Sequence, residues 1–299
     1  MTEFYSNGKL LLSAEYVVLD GALALALPIK FGQTLSVEPI DAKQSVWESY
    51  DADGSLWFKV SFVLSEFNFS VDEPIAIQLQ KILKAARELN PNFLKGIQNY
   101  KIQTKLSFSR HWGLGSSSTL INNIAQWAHI NAFELQFKCF GGSGYDIACA
   151  QHNKPILYQL KDTKPIVEEV NFNPDFKDQL YFVYLNQKQN SREGIAQYQS
   201  LKSGENKAIL EISAISKNIL MCKNLSDFEK FINQHEVIIG KLIKKQPVKE
   251  HLFNDYFGSI KSLGAWGGDF ILATGNDDTP NYFKQKGYKT VIKYGDMVL

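Results

Sequence analysis

The chain is short of net charge, short of cysteine and without a long apolar run, and each shortage closes a class of function. Lys plus Arg number 32 against 31 Asp plus Glu in 299 residues, a formal charge of +1. There is no surplus field with which to grip a nucleic-acid backbone or an anionic membrane, so partners of both kinds are excluded. The clearest basic cluster, Lys241, Lys244, Lys245 and Lys249, is interleaved with Ile238, Ile239, Leu242 and Ile243 and reads as the wet face of an amphipathic helix. Three cysteines, Cys139, Cys149 and Cys222, are odd in number and lack metal-ligand spacing, so no disulfide framework is expected. With no basic segment leading into an apolar run at the start, reduced thiols in a cytoplasmic protein are the expectation. The most apolar early stretch, Ala22 to Ile29, is far too short to span a bilayer and contains Pro28. Two phosphate-binding signatures are also missing: Gly-x-x-x-x-Gly-Lys-Ser/Thr and Gly-x-Gly-x-x-Gly.

What is present is a large core. Apolar residues make up 44% and aromatics 13%, which disfavours disorder, and the length favours two domains. Runs at Lys9–Leu12, Tyr16–Leu19, Ala22–Leu27 and Gln33–Glu38, broken by Asp20-Gly21 and Pro28, read as strands. Trp47–Tyr50 and Ser55–Val63 flank Asp51-Ala52-Asp53-Gly54 as a hairpin. Asp72-Glu73-Pro74 opens a helix over Ile75–Leu89. Tyr100–Phe108 alternates as a half-buried strand, and Leu120, Ile121, Ile124, Trp127 and Ala128 recur at helical spacing. The composition shifts at Asn171–Asp175, which places a boundary between domains 1–174 and 175–299. Beyond it the pattern predicts helices over Glu193–Leu201, Asn206–Cys222, Leu225–Ile243 and about Asn254–Leu263, then strands at Phe270–Thr274 and Thr290–Lys293. Two mixed α+β units result.

Between the strand ending at Phe108 and the following helix stands Gly113-Leu114-Gly115-Ser116-Ser117-Ser118. Two glycines let the backbone turn and approach a ligand closely, and serines at a helix start bring hydroxyls and free N–H groups to an end carrying roughly +0.5 charge. Such a turn favours an anion; an ordinary serine-capped helix start has the same wording. Two further glycine clusters, Gly141-Gly142-Ser143-Gly144 and Gly264-Ala265-Trp266-Gly267-Gly268-Asp269, also stand beside polar residues.

Taken in order, these stretches resemble the GHMP kinase superfamily, the small-molecule kinases named for galactose, homoserine, mevalonate and phosphomevalonate. Ser6-Asn7-Gly8-Lys9-Leu10-Leu11-Leu12-Ser13-Ala14-Glu15-Tyr16 is similar to that family's opening segment, Gly113–Ser118 to its Gly-Leu-Gly-Ser-Ser phosphate loop, Gly142–Asp146 to the segment bearing its catalytic aspartate, and Gly264–Asp269 to its third glycine loop, with Lys261 ahead of it. Tyr16 and Asp269 lean toward the mevalonate and phosphomevalonate kinase branch. The resemblance implies an α+β, two-domain GHMP kinase fold, with an N-terminal ribosomal protein S5 domain 2-like part and a C-terminal ferredoxin-like α+β part. It also implies ATP and Mg²⁺ as cofactors and phosphoryl transfer to a small molecule, with mevalonate or phosphomevalonate in isoprenoid precursor synthesis as the leading acceptors.

The likeness then distributes roles that phosphoryl transfer requires. Gly113, Leu114, Gly115, Ser116, Ser117 and Ser118 hold the phosphates, and Ser117 offers its hydroxyl to Mg²⁺. Asp146 takes or orients the acceptor's proton, and Lys9 keeps that carboxylate ionised or screens the transferred charge. Gly264, Gly267, Gly268 and Asp269 form the third loop. Glu15, Ser143 and Arg192 are substrate candidates, Arg192 with Asn190 and Ser191 ahead of a helix; Arg110 and His111 precede the phosphate turn. A homodimer is compatible with the chain. Three departures stand against the pattern: between the phosphate helix and Asp146 the only acid is Glu134, Trp266 replaces a glycine, with an indole expected to narrow the space near the phosphates, and Phe108-Ser109 stands where relatives carry Ile-Pro. The missing acid and Trp266 keep a second reading open, a non-catalytic nucleotide-binding relative; a diphosphomevalonate decarboxylase-like enzyme is a third, against which the opening Gly-Lys-Leu-Leu-Leu and the Asp269 loop look kinase-like.

Overall fold

A computed structural model describes the chain apart from residues 66, 188–190, 202–205 and 267, and describes no side chain for Asn68, Ser191, Arg192 and Asn206. The chain divides into two compact units. The first comprises Met1–Gly8, Phe31–Arg110 and Leu114–Gln151, and the second Lys9–Lys30, His111–Gly113 and His152–Leu299. Strands β1 (Thr2–Leu11) and β2 (Ala24–Ile40) each contribute to both.

In the first unit β2 is followed by β3 (Ser45–Tyr50), β4 (Leu56–Val63), β5 (Asn68–Phe69), α1 (Pro74–Leu89), β6 (Asn99–Leu106), α2 (Ser116–Ala128), α3 (Ala132–Cys139) and α4 (Tyr145–Gln151). Its strands lie in the order β5-β4-β3-β6-β2, with β6 parallel to β3 and antiparallel to β2. Alternation explains the faces: Phe58, Val60 and Phe62 of β4 and Ile102, Thr104 and Leu106 of β6 point inward, and the residues between them are more exposed. α1 buries Ala76, Leu79, Ile82, Leu83 and Ala86, one helical stripe, in the same core as Ile121, Ile124 and Ala125 of α2. The Asp51–Gly54 turn joins β3 to β4 as expected, with Gly54 at φ 82°.

The second unit adds β7 (Ile156–Lys161), β8 (Lys164–Glu169), β9 (Leu180–Tyr184), α5 (Ser191–Leu201), α6 (Asn206–Met221), α7 (Leu225–Ile243), α8 (Val248–Leu252), β10 (Ile260–Ser262), β11 (Phe270–Thr274), α9 (Thr279–Gln285), β12 (Val291–Lys293) and α10 (Tyr294–Met297). β7 pairs with the first residues of β2, β8 with β7, and a separate antiparallel sheet runs β10-β11-β9-β12.

Three local expectations give way. Ala24–Ile40 is one strand through Pro28, which falls between the residues paired with β7 (24–26) and those paired with β6 (33–40), so neither of these two ladders needs the N–H it lacks; β1 pairs with β2 as well. Tyr16–Leu19 is not a strand. Ala14 (φ 72°) and Tyr16 (φ 65°) turn the chain into a 3₁₀ helix over Val17–Asp20, closed by Gly21 at φ 86°. The helix expected over Asn254–Leu263 is absent among the described residues; α8 ends earlier and Ile260–Ser262, buried on both faces, pairs with β11. Gly258 lies so close to Thr274 O that a Cβ there would overlap it.

Candidate active site

The serine turn owes its shape to its glycines. Gly113 (φ 69°) and Gly115 (φ 98°) are both left-handed, and Gly115 is the N-cap of α2, where it offers no side chain to the helix's first N–H groups. Two nearby hydroxyls are spent inside the turn: Ser118 Oγ donates to Gly115 O (2.9 Å), and Thr119 Oγ1 faces Gly115 O (3.0 Å), Ser116 O (3.1 Å) and Gln33 Oε1 (2.9 Å). Ser118 and Thr119 are buried, Ser116 is half-buried and Ser117 is exposed. A thirteen-residue helix therefore starts with an uncapped glycine and an exposed hydroxyl, the arrangement that suits an anion.

The residues leading into that turn are fixed within the second unit. His111 O accepts from the Tyr184 hydroxyl (3.0 Å), and the Trp112 ring meets Phe270 edge-on at 5.6 Å. Asp269, the last residue of the loop between β10 and β11, lays its carboxylate against Gly113 so closely that any Cβ at Gly113 would collide with it. Asp269 itself is left-handed (φ 53°), pinned by Asp269 N donating to Gln187 O (2.6 Å) and Leu185 N donating to Asp269 O (2.8 Å). Burial and then the Asp269 charge push the Tyr184 hydroxyl up. The structure thus sets Asp269 of the third glycine loop directly against Gly113 of the serine turn. Gly264 takes φ 66°, Gly268 is buried, and Gly267 lies outside the described residues. Trp266 is 2% exposed, its ring packed toward Gly240 of α7, where an added Cβ would stand 3.4 Å from it. The indole expected to crowd the phosphates is a core residue of its own unit.

In the first unit Gly141, Gly142 and Gly144 are all left-handed (69°, 89° and 85°) and deliver the chain into α4. Ser143 is buried, Asp146 is half-buried in the first turn, and Asp146 Oδ1 accepts from Ile147 N (3.1 Å), so the carboxylate is oriented by its own helix. Lys9, which belongs to the second unit, is half-buried in β1. Arg110 is held on the β3–β4 turn, its backbone N–H donating to Asp51 Oδ1 (3.2 Å) and its guanidinium 5.1 Å from the Trp57 ring centre. Asn190 lies outside the described residues, as does the side chain of Arg192.

Glu15 is 1% exposed and belongs to a buried charged cluster. Lys261 Nζ donates to Glu15 Oε1 (2.6 Å) and to Ser262 O (2.9 Å) and stands 3.7 Å from Glu236 Oε1; Ser262 Oγ donates to Glu236 Oε2 (2.9 Å). Burial is the largest single influence on the Glu15 carboxyl and works to raise it, yet the Lys261 ammonium and His235 together outweigh it and the net displacement is downward. Glu236, farther from that ammonium, is pushed up to about 7, chiefly by burial. His235 is pushed down to about 4 by burial and then by Lys261. It is therefore neutral, and its Nε2 accepts from Ala14 N (2.9 Å); the 3.1 Å approach of Glu15 Oε2 to the same nitrogen is not an ion pair. His235 and Glu236 were not among the residues singled out from sequence. The signal was there: with Phe228, Ile232, Ile239, Gly240 and Ile243 they fall on the buried stripe of α7.

No protein-family model and no curated protein matches this sequence. Solved structures do match in fold. A mevalonate kinase crystal structure superposes with a TM-score of 0.70 at 15% identity, covering 96% of this chain and 95% of its own. Streptococcus pneumoniae phosphomevalonate kinase, solved in complex with phosphomevalonate and AMPPNP, gives 0.72 at 15% identity over 98% and 100%. This is the GHMP kinase fold. Lactococcus lactis galactokinase, solved with galactose, shares it at a TM-score of 0.68, 12% identity and 97% and 92% coverage. The GHMP architecture implied by four short motifs thus extends over nearly the whole chain.

Proposed function

We propose that the chain is an ATP- and Mg²⁺-dependent small-molecule kinase, with mevalonate and phosphomevalonate the first acceptors to consider. The observation that carries this is the start of α2: two left-handed glycines, an uncapped helix end and an exposed Ser117, in a fold shared with a structure solved with an ATP analogue. In this reading the N–H groups of Gly113–Ser118 receive phosphate oxygens, and Gly113 must be glycine because the Asp269 carboxylate fills the place of its Cβ. The donor set suits Mg²⁺ carried in on phosphate with its waters, held by Ser117 Oγ: among the described residues no three His, Cys, Asp or Glu side chains form a metal cage. Bound there, the ion would neutralise charge on the phosphates.

Asp146 takes the acceptor's proton, or orients an already ionised acceptor, as its oxygen forms a bond to the γ-phosphorus and the bond to the β-phosphate's bridging oxygen breaks, leaving ADP. Lys9 screens the transferred charge. Ser143 and Arg192 stay substrate candidates on sequence grounds, and we assign Glu15 instead to the frame, since its carboxylate is committed to Lys261. A non-catalytic nucleotide-binding role is the second reading, favoured by Glu134, the one acid between α2 and α4, being exposed at the start of α3. ADP release from Mg·ATP, measured with mevalonate, phosphomevalonate, homoserine, galactose and diphosphomevalonate beside Asp146→Asn, tests the assignment. One acceptor is expected to stimulate release, and the variant to lose about 10²- to 10⁴-fold. Nucleotide binding by calorimetry with no stimulated release would establish the second reading instead.

A further inference from the structure

α2 buries a polar face as well as an apolar one. Thr119, Asn122 and Asn123 are each 2% exposed or less, and their side chains enter a run of hydrogen bonds lying wholly within the first unit. Thr119 Oγ1 donates to Gln33 Oε1 (2.9 Å), Asn123 Nδ2 to Gln33 O (2.9 Å) and Ser6 Oγ to Asn123 Oδ1 (2.7 Å). Asn122 stands at the junction. Its Nδ2 donates to Ser6 Oγ (2.8 Å) and reaches Ala150 O (3.5 Å), while its Oδ1 accepts from Gln151 Nε2 (3.0 Å). Burying amides gains nothing over burying methyls unless every polar atom is satisfied, and a satisfied network adds direction. The apolar contacts of Ile121, Ile124 and Ala125 with the core that includes Ile147 can be remade after a small slide, whereas the Asn122–Gln151 pair cannot.

The position of that pair matters because of what the two helices carry. Asn122 is six residues beyond Ser116 and Gln151 five beyond Asp146, roughly 9 and 7.5 Å along the helices at 1.5 Å per residue. We infer that Asn122 is a positioning residue: by clasping Gln151 and Ala150 of α4 and Ser6 of β1, it fixes the offset of α4 along α2 and so the placement of Asp146 against the serine turn. The role given to Asp146 and the turn is that of the kinase reading above, on which this inference rests.

Asn122→Leu is the direct test, since it keeps a similar volume and strands little: Ser6 Oγ retains Asn123 as acceptor, and Gln151, an exposed residue, can turn its amide to water. Gln151→Leu, at the exposed partner, serves where Asn122→Leu does not fold. With the acceptor that supports turnover, kcat should fall about 10²-fold, the loss expected for a misplacement near 1 Å, with KM for Mg·ATP within about threefold of the parent. Amide exchange in α4 should quicken about tenfold or more while that of α1 is unchanged. Unchanged kcat, or a parallel loss of kcat, KM and thermal midpoint in both variants, overturns the inference. If the parent transfers phosphate to no acceptor, the kinase reading fails by itself and α4 exchange decides the matter: unaltered protection in Asn122→Leu refutes the clasp, and faster exchange upholds it.

Discussion

Lys261 is a cation with no access to water, and its neighbours decide what its loss would do. Removing it strands Glu15 with no opposite charge in a dry interior, so Lys261→Met should lower unfolding stability by about 3–5 kcal/mol, while the double variant with Glu15→Leu should lose markedly less. Chemical denaturation of the pair checks this. The same cluster sets a pH response. Glu236, with a folded value of about 7 against an ordinary 4.5, contributes stability that is complete below pH 4.5 and lost as pH rises through 7. His235 does the reverse: lowered from 6.5 to about 4, it contributes stability present above pH 6.5 and lost as pH falls through 4. The two slopes oppose each other between pH 4.5 and 6.5. Glu236→Gln should unmask the His235 slope, so that the stability difference between parent and variant falls with pH across 4.5 to 7. A difference that does not vary with pH would contradict a burial of Glu236 that outweighs its contacts with Lys261 and Ser262. None of this was legible from composition. Glu15 and Lys261 could be noticed as motif residues, but only the fold puts an acid at position 15 on a lysine at position 261.

Among the elements, α1 has its far end tied to neighbouring segments of the chain by Arg87. Arg87 donates to Leu64 O (2.8 Å), Ser65 O (2.9 Å), Phe93 O (3.2 Å) and Leu94 O (2.8 Å), and its guanidinium stands 4.0 Å from the Phe67 ring centre. Arg87→Met should cost about 2–3 kcal/mol and speed amide exchange in the last turn of α1. Arg87→Lys should rescue little, since an ammonium cannot serve the same planar fork. Elements governed by a single period were legible: the α1 stripe, the alternation of β6, and the helix after the serine turn. Those governed by distant partners were not. Pro28 reads as a strand breaker until the β6 and β7 ladders of β2 are seen to avoid it, and Ile260-Lys261-Ser262 reads as helix because a buried lysine disguises an all-buried strand. The Asn122 clasp escaped for the same reason, for two adjacent asparagines in an amphipathic helix look like its wet face. The serine turn, by contrast, was legible because left-handed glycines and a helix start are local properties; the nearness of Asp269 to Gly113 was not.

For the whole molecule, the formal charge is near neutral, no helix among the described residues is long and apolar enough to cross a membrane, and the fold is that of the GHMP kinases. Ser117→Ala belongs at this scale because it separates folding from function. Its hydroxyl is exposed and the turn is held by Ser118 and the glycines, so the thermal midpoint should stay near the parent's while the rate in Mg²⁺ falls; equal loss of both would make the serine a helix-start residue only. The proposed reaction transfers the γ-phosphoryl group to a small acceptor. Phosphorus NMR of Mg·ATP incubated with the intact protein and each acceptor in turn follows that group directly. With one acceptor the γ-signal should decay as an equal phosphoester or diphosphate signal grows on that acceptor, and Asp146→Asn should slow the transfer about 10²- to 10⁴-fold. Decay to inorganic phosphate alone, or no decay with any acceptor, would contradict the proposed reaction.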